Sequence, residues 1–149
     1  MKKKMSMITL AATLCASTAL ATDGTSLQVA ISDEHGPYVE AGNGLPVYMF
    51  DTRIGAGDGQ TPLDSCNARC LGEWPLVTVD GDLVVDDEMD SQLAATVMWE
   101  GEEVAIYNSN ALFYFYRDTA EGEPIGHGIR SFGGRWYLIA PDGTAISTD

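Results

Sequence analysis

A pattern that occurs twice in the chain constrains its fold most: an aromatic strand, a polar loop and a Gly-x-Trp strand that ends at an Asp-Gly turn. The fuller copy spans residues 111–143, and a looser copy lies upstream. One set of residues matches at an offset of 65, namely Asn43, Pro46, Val47, Tyr48, Phe50 and Arg53 with Asn108, Ala111, Leu112, Phe113, Phe115 and Asp118. A second set matches at an offset of 62, namely Gly72, Trp74, Leu76, Val77, Asp80 and Gly81 with Gly134, Trp136, Leu138, Ile139, Asp142 and Gly143. Such a duplication predicts two related halves that share one core.

The rest of the chain is typical of short strands between turn residues, and long runs with helical periodicity are scarce. Strands are predicted at residues 27–31, 38–40, 47–50, 74–79, 97–99, 104–106, 112–116 and 136–139. We therefore predict an all-β fold with a minor helical turn. It is expected to be a single domain of two related antiparallel β halves, with repeat 1 at about residues 26–81 and repeat 2 at about 92–147.

Residues 1–21 have the features of a secretory signal peptide: three lysines, a short apolar run and a small-x-small ending. Cleavage after Ala21 would leave residues 22–149 as the mature domain. The apolar run is too short to cross a bilayer comfortably, so we expect an exported protein, periplasmic or secreted, that does not span a membrane. A lipid anchor at Cys15 is disfavoured because Leu14 lies where a lipoprotein signal has a small residue.

The charge of the chain narrows its possible partners. Its 22 acidic residues face eight basic ones, for a formal net charge of −14. Without the signal peptide and its three lysines the net charge is −17, and every remaining basic residue is an arginine. A surface this acidic repels polyphosphates and anionic lipid headgroups, so we expect no nucleic-acid or membrane-surface binding. The expected partner is an unknown protein or a small-molecule ligand.

Two cysteines remain after processing, Cys66 and Cys70. In an oxidising compartment a close pair favours a disulfide, and residues four apart in a helical turn across 63–71 lie on one face at bridging distance. The alternatives are free redox thiols or a metal site. Zinc would need two more ligands, and His35 and His127 are the remaining non-acidic candidates.

At the two copies of the duplicated pattern, the sequence resembles a bacterial family of secreted repeats. That family is described as predicted lipoproteins or secreted proteins with tandem Tyr-x4-Asp motifs, more fully Tyr-x-(Phe/Trp/Tyr)-x-x-Asp. The two copies supply Tyr48, Phe50 and Arg53, and then Phe113, Phe115 and Asp118. The resemblance covers most of the mature chain, including the cysteine pair and the segments around Trp74 and Trp136. It implies no assigned activity. Because neither copy is complete, the split motif argues against a Tyr–Asp catalytic pair.

The segment expected to bind a ligand is the loop 121–130, which contains His127. Alternation along residues 112–116 places Phe113 and Phe115 in the core and directs the two tyrosines, Tyr114 and Tyr116, to solvent or to another layer. Exposed tyrosines beside a glycine-rich loop could stack on a sugar or a partner surface. We therefore group His127, Tyr114 and Tyr116 as a possible ligand site.

Other chemistry has weaker support. His127, His35 and Met49 are the types of residue that bind copper in exported proteins, yet they show no ligand spacing. Ser109 and Ser131 lack a Gly-x-Ser-x-Gly setting, so we expect neither an enzyme nor a cofactor. The expected function is a non-enzymatic binding or interaction module of the bacterial envelope or extracellular space. The alternative is a periplasmic metal-handling (copper-type) or redox-accessory protein.

Overall fold

A computed structural model describes residues 24–52 and 61–148. The predicted signal peptide, Cys15, and Arg53 of the first motif copy lie outside these residues. The described elements are β1 Gly24–Ser32, β2 Gly36–Ala41, β3 Tyr48–Asp51, α1 Pro62–Ser65, α2 Ala68–Glu73, β4 Asp82–Val85, a 3-10 turn Ser91–Leu93, β5 Ala94–Trp99, β6 Glu102–Tyr107, β7 Asn110–Ala111, β8 Arg130–Ser131 and β9 Gly134–Leu138. In the described ranges, many more residues lie in strands than in helices, which confirms the prediction of an all-β fold with a minor helical part.

An antiparallel hairpin begins each predicted half. β1 pairs with β2, with Leu27 opposite Ala41, and β5 pairs with β6, with Ala94 opposite Tyr107. The turn between β5 and β6 has positive φ at Glu100 and Gly101, the backbone of a two-residue hairpin turn. The strands predicted within these hairpins are confirmed. β1 also pairs in parallel with β4, which covers its outer edge.

The central strands pair across the two halves. β3 runs antiparallel to β9, with Phe50 opposite Trp136. On its other edge, Tyr48 and Phe113 exchange backbone hydrogen bonds of 2.8 and 3.0 Å. Phe113 in turn forms a β-bridge with Leu76. Each aromatic segment therefore pairs with the Gly-x-Trp segment of the other half.

Two of the predicted strands are shorter in the structure than in the prediction. Residues 112–116 and 74–79 form isolated β-bridges rather than continuous strands. The cause lies in Pro75. Its carbonyl oxygen accepts a hydrogen bond from Tyr114 N at 2.7 Å, but proline has no N–H with which to donate a hydrogen bond back to Tyr114. The segments are extended and hydrogen-bonded, but the ladder between them is interrupted.

The central strands bury side chains on both faces. On one face the indole rings of Trp74 and Trp136 are stacked with centroids 3.9 Å apart. They belong to an aromatic cluster with Tyr48, Phe50, Phe113 and Phe115. The other face is mostly aliphatic and contains Leu27, Val39, Val47, Val77, Leu112 and Ile139. Burial of apolar surface on both sides of one strand layer is the main favourable contribution to folding.

Cys66 and Cys70 are joined by a disulfide, with Cα atoms 5.1 Å apart. The helical part around residues 63–71 consists of two short helices, because Asn67 interrupts it. Its side-chain oxygen accepts hydrogen bonds from the backbone N–H groups of Arg69 and Cys70, which starts a second helix. The bridge therefore joins the end of α1 to α2. Within residues 24–52 and 61–148, no helix has the length and hydrophobicity required to cross a bilayer.

Candidate ligand pocket at the junction of the two halves

A buried tyrosine of the first half holds the 118–128 loop of the second. The Tyr48 hydroxyl donates to Asp118 Oδ2 at 2.6 Å and accepts from Gly126 N at 3.1 Å. Asp118 Oδ1 accepts from Ile125 N at 2.9 Å. The sequence interpretation argued against a catalytic Tyr–Asp pair because each copy of the motif is incomplete. The structure pairs the tyrosine of one copy with the aspartate of the other.

The protonation of this pair suits a structural role. Burial raises the pKa of Tyr48, and the hydrogen bond to Asp118 raises it further. Burial also raises the pKa of Asp118, while its bonds to Tyr48 and Ile125 oppose that shift. Tyr48 has no exposed surface, and a Cβ on Gly126 would lie 2.8 Å from its Cζ. The phenol is therefore a fixed donor that no external substrate can reach.

A second attachment joins the same loop to the β1–β2 turn. Glu123 Oε2 accepts from the Ser32 hydroxyl at 2.5 Å. The oxygen of that hydroxyl accepts from the backbone N–H of Glu34 at 3.1 Å and of His35 at 3.0 Å. Ser32 is itself buried, so this network fixes the turn that carries His35 against the loop that carries His127.

The two histidines of the chain meet beside this attachment. The rings of His35 and His127 have centroids 4.6 Å apart in a T-shaped arrangement. They line a pocket of about 440 Å³, a volume in the range of small-molecule sites. Its lining residues are Glu34, His35, His127, Gly128, Arg135, Ser147 and Thr148. Segments that are far apart in the sequence therefore converge on one pocket.

Hydrogen bonds fix the tautomer of His127. Its Nδ1 lies 3.0 Å from Leu138 N and accepts that N–H, so the proton of the neutral ring is on Nε2. Nε2 faces the carbonyl of Ser147 at 3.5 Å. Burial lowers the pKa of His127, the contact with the Ser147 carbonyl opposes that shift, and the nearby His35 and Arg135 lower the pKa further. The imidazole is neutral at pH 7, with one N–H directed toward the pocket wall.

Arg135 is a pocket residue that sequence reasoning missed. Its Nε donates to Gly128 O at 3.2 Å, and its guanidinium lies 5.6 Å from the centroid of the Tyr137 ring. Alternation along β9 contained the signal, because it buries Trp136 and Leu138 and directs Arg135 and Tyr137 to the opposite face.

The other predicted site residues lie elsewhere. Tyr114 packs on the aliphatic cluster, and its hydroxyl accepts from Asn43 Nδ2 at 3.4 Å. Tyr116 is half exposed and lies beneath the Arg117 guanidinium. Met49 packs on the aliphatic cluster. None of these three lines the pocket that contains His127.

The residues predicted as metal ligands or nucleophiles have other surroundings in the described part of the chain. There, no three His, Cys, Asp or Glu side chains gather in a way that could hold a metal ion. The Ser131 hydroxyl accepts the indole N–H of Trp136 at 3.1 Å, so it supports the core. Ser147 faces His127 with its backbone carbonyl.

Comparison with protein-family models, curated proteins and solved structures found no match to the chain. The geometry of the pocket and the sequence are therefore the basis for its functional interpretation.

Proposed function

We propose that this protein is an exported, non-enzymatic binding module whose ligand occupies the pocket between His35, His127 and Arg135. The observation that supports this most is the convergence of three separate segments on that pocket. His35 comes from the β1–β2 turn, His127 from the predicted ligand loop and Arg135 from β9. Hydrogen bonds to Ser32, Leu138 and Gly128 hold these segments or side chains in place. A preorganised polar pocket of this kind favours binding.

The lining chemistry argues for binding rather than turnover. Nucleophilic catalysis needs a hydroxyl or thiol within hydrogen-bond reach of a base. His127 accepts from Leu138 N at Nδ1 and carries its proton on Nε2, so the neutral ring has no free nitrogen to act as a base. Tyr48 is buried, Asp118 is partly buried, and their pair lies outside the pocket lining. We expect no turnover in a screen of ester, peptide and glycoside substrates.

The chain is also proposed to be a tandem duplication within the secreted-repeat family. Residues matched by the sequence offsets touch one another: Tyr48 with Phe113 through backbone hydrogen bonds, and Trp74 with Trp136 through ring stacking. Contacts between equivalent residues are what a pseudo-two-fold arrangement of two related units produces. The proposed location is the periplasm or the extracellular space, after removal of residues 1–21, where the Cys66–Cys70 disulfide would persist.

Amide NMR spectra test the proposed site. The purified protein is titrated with separate panels of organic acids, neutral sugars and amino acids. Binding at the site is expected to shift the signals of His127, Gly128 and Ser147. The signals of Gly42 and Asn43, which line another pocket of about 310 Å³, are the internal control and stay fixed. The proposal is wrong if no compound in millimolar amounts shifts the first group, or if the second pocket responds instead.

A second candidate, metal handling, is favoured by one specific observation, the 4.6 Å contact of the two imidazoles. Two histidines this close could both ligate one Cu(II) or Zn(II) ion. The neighbouring Arg135 opposes a cation, which is why this candidate ranks second. Titration with Cu(II) and Zn(II) separates the two. Binding tighter than micromolar that is lost in His35→Ala would favour metal handling, and weaker binding would exclude it.

A further inference from the structure

We propose that the ligand of this pocket is a small organic carboxylate, bound by the guanidinium of Arg135 with the Nε2–H of His127 as a second donor. The inference rests on the proposed function, since it assigns a ligand chemistry to the same pocket. Three observations carry it: the pairing of two arginines, the arrangement of the donors and the size of the space.

Two of the few arginines of an acidic protein lie together beside this pocket. Arg130 and Arg135 lie directly opposite each other on β8 and β9. Like charges at such positions destabilise a sheet, and a bound anion relieves that repulsion. Across its other edge Arg135 faces Asp51 in register, so part of this charge is balanced within the sheet. The acid in the pocket lining is Glu34, whose side chain is 79 % exposed at the rim.

The donors are positioned before any ligand arrives. The bond from Arg135 Nε to Gly128 O and the position over the Tyr137 ring orient the guanidinium. Nε is therefore used internally, while the terminal nitrogens remain for a carboxylate, which arginine binds through paired N–H groups. The contact from His127 Nε2 to Ser147 O is long, at 3.5 Å. That N–H is therefore weakly satisfied, and a ligand oxygen in the pocket can share it while the ring stays in place through its bond from Leu138 N.

Size and long-range charge limit the class of anion. A space of about 440 Å³ accepts a molecule of the size of a sugar acid or an amino acid. The net negative charge of the chain repels multiply charged ligands more strongly than singly charged ones. One carboxylate on a small organic body therefore fits better than a di- or polyphosphate.

Paired ligands and paired arginines test this inference. Acetate, glucuronate and lactate are titrated against the full-length purified protein, each beside its neutral counterpart: acetamide, glucose and lactamide. Ionic strength is held constant, and amide NMR signals are followed. Arg135→Gln is compared with Arg117→Gln, which removes the same charge from another arginine that lies over a tyrosine, at 5.1 Å. Arg135→Lys retains the charge without the planar fork and shows whether the fold tolerates change at this position.

At least one carboxylate is expected to bind and to shift the amide signals of His127 and Gly128. Its neutral counterpart is expected to bind at least about tenfold more weakly. Arg135→Gln is expected to weaken binding by a similar factor, Arg135→Lys by less, and Arg117→Gln not at all. Equal binding of a carboxylate and its amide, or equal effects of the two glutamine variants, would overturn the inference. Binding of neutral sugars in the same pocket would overturn it while sustaining the proposed function, and a pocket that responds to nothing refutes both.

Discussion

At the scale of single residues, two fully buried tyrosines have comparable hydrogen bonds with different partners. Tyr48 donates to the Asp118 carboxylate and accepts from Gly126 N. Tyr107 donates to Pro141 O at 2.6 Å and accepts from Asp90 N at 3.1 Å. A hydrogen bond to a charged group contributes more than a neutral one, so the two hydroxyls are expected to differ in their effect on stability.

Tyr48→Phe is expected to lower the free energy of unfolding by about 2 kcal/mol, since it leaves a partly buried carboxylate and an N–H without their partner. Tyr107→Phe, the matched control, is expected to cost about 1 kcal/mol because both of its partners are neutral. Urea denaturation followed by tryptophan fluorescence measures both values. A smaller loss for Tyr48→Phe than for Tyr107→Phe would contradict the role of Tyr48 in holding the loop.

His127 is expected to make the stability depend on pH. Its pKa is lowered in the folded state, chiefly by burial, so the unfolded chain takes up a proton first as the pH falls. The stability that the neutral ring supplies is complete above the unfolded pKa of about 6.5 and declines as the pH falls from there toward the lower folded value.

His127→Asn is expected to flatten this decline, because the amide oxygen can still accept from Leu138 N but does not titrate. Urea midpoints measured between pH 7.5 and pH 5 for both proteins provide the comparison, with about 6.5 as the point where they begin to diverge. Parallel curves for the two proteins would show that His127 contributes nothing to the pH dependence.

At the scale of the strands and helices, the pairing of β3 with β9 depends on one glycine. A Cβ on Gly134 would meet the backbone oxygen of Asp51 and would lie 2.6 Å from Phe50 Cε2. The position cannot relax easily, because its neighbours belong to a paired strand and to the aromatic cluster. Gly72, in α2, has no such neighbour within 4 Å.

Gly134→Ala is expected to destabilise the protein by about 2 kcal/mol through overpacking. Gly72→Ala is expected to stabilise it by up to about 1 kcal/mol, because alanine favours a helix. Both values come from thermal or urea unfolding monitored by circular dichroism. A neutral effect of Gly134→Ala would mean that β3 and β9 approach less closely than described.

The positions of individual strands were more predictable than the pairing of strands that are distant in the sequence. Alternation along β1, β2, β5 and β6 was sufficient to predict these strands, because the period of a half-buried strand is a local property of the sequence. Side-chain period identifies which face is buried but not which distant strand lies alongside. The exchange of strands between the halves and the contact of His35 with His127 depend on such distant pairing. Pro75 explains the remaining error, since its missing N–H interrupts a ladder that the apolar pattern predicted to be continuous.

At the scale of the whole molecule, the strand exchange means that neither half contains a complete core. Phe50 of the first half packs on Trp136 of the second, with ring centroids 4.0 Å apart. The pocket divides in the same way, since His35 comes from the first half and His127 and Arg135 from the second. The proposed ligand site therefore exists in the joined molecule and in neither part alone.

Dividing the chain tests this interlocked arrangement most directly. The exposed turn at Asp87 and Glu88 is a suitable division point, giving fragments 22–87 and 88–149. Amide NMR spectra are recorded for each fragment alone and for the equimolar mixture. Each fragment alone is expected to give the narrow amide dispersion of an unfolded chain, and the mixture to recover the dispersed spectrum of the intact protein. A well-dispersed spectrum and cooperative melting of either fragment alone would contradict the interlocked arrangement of the two halves.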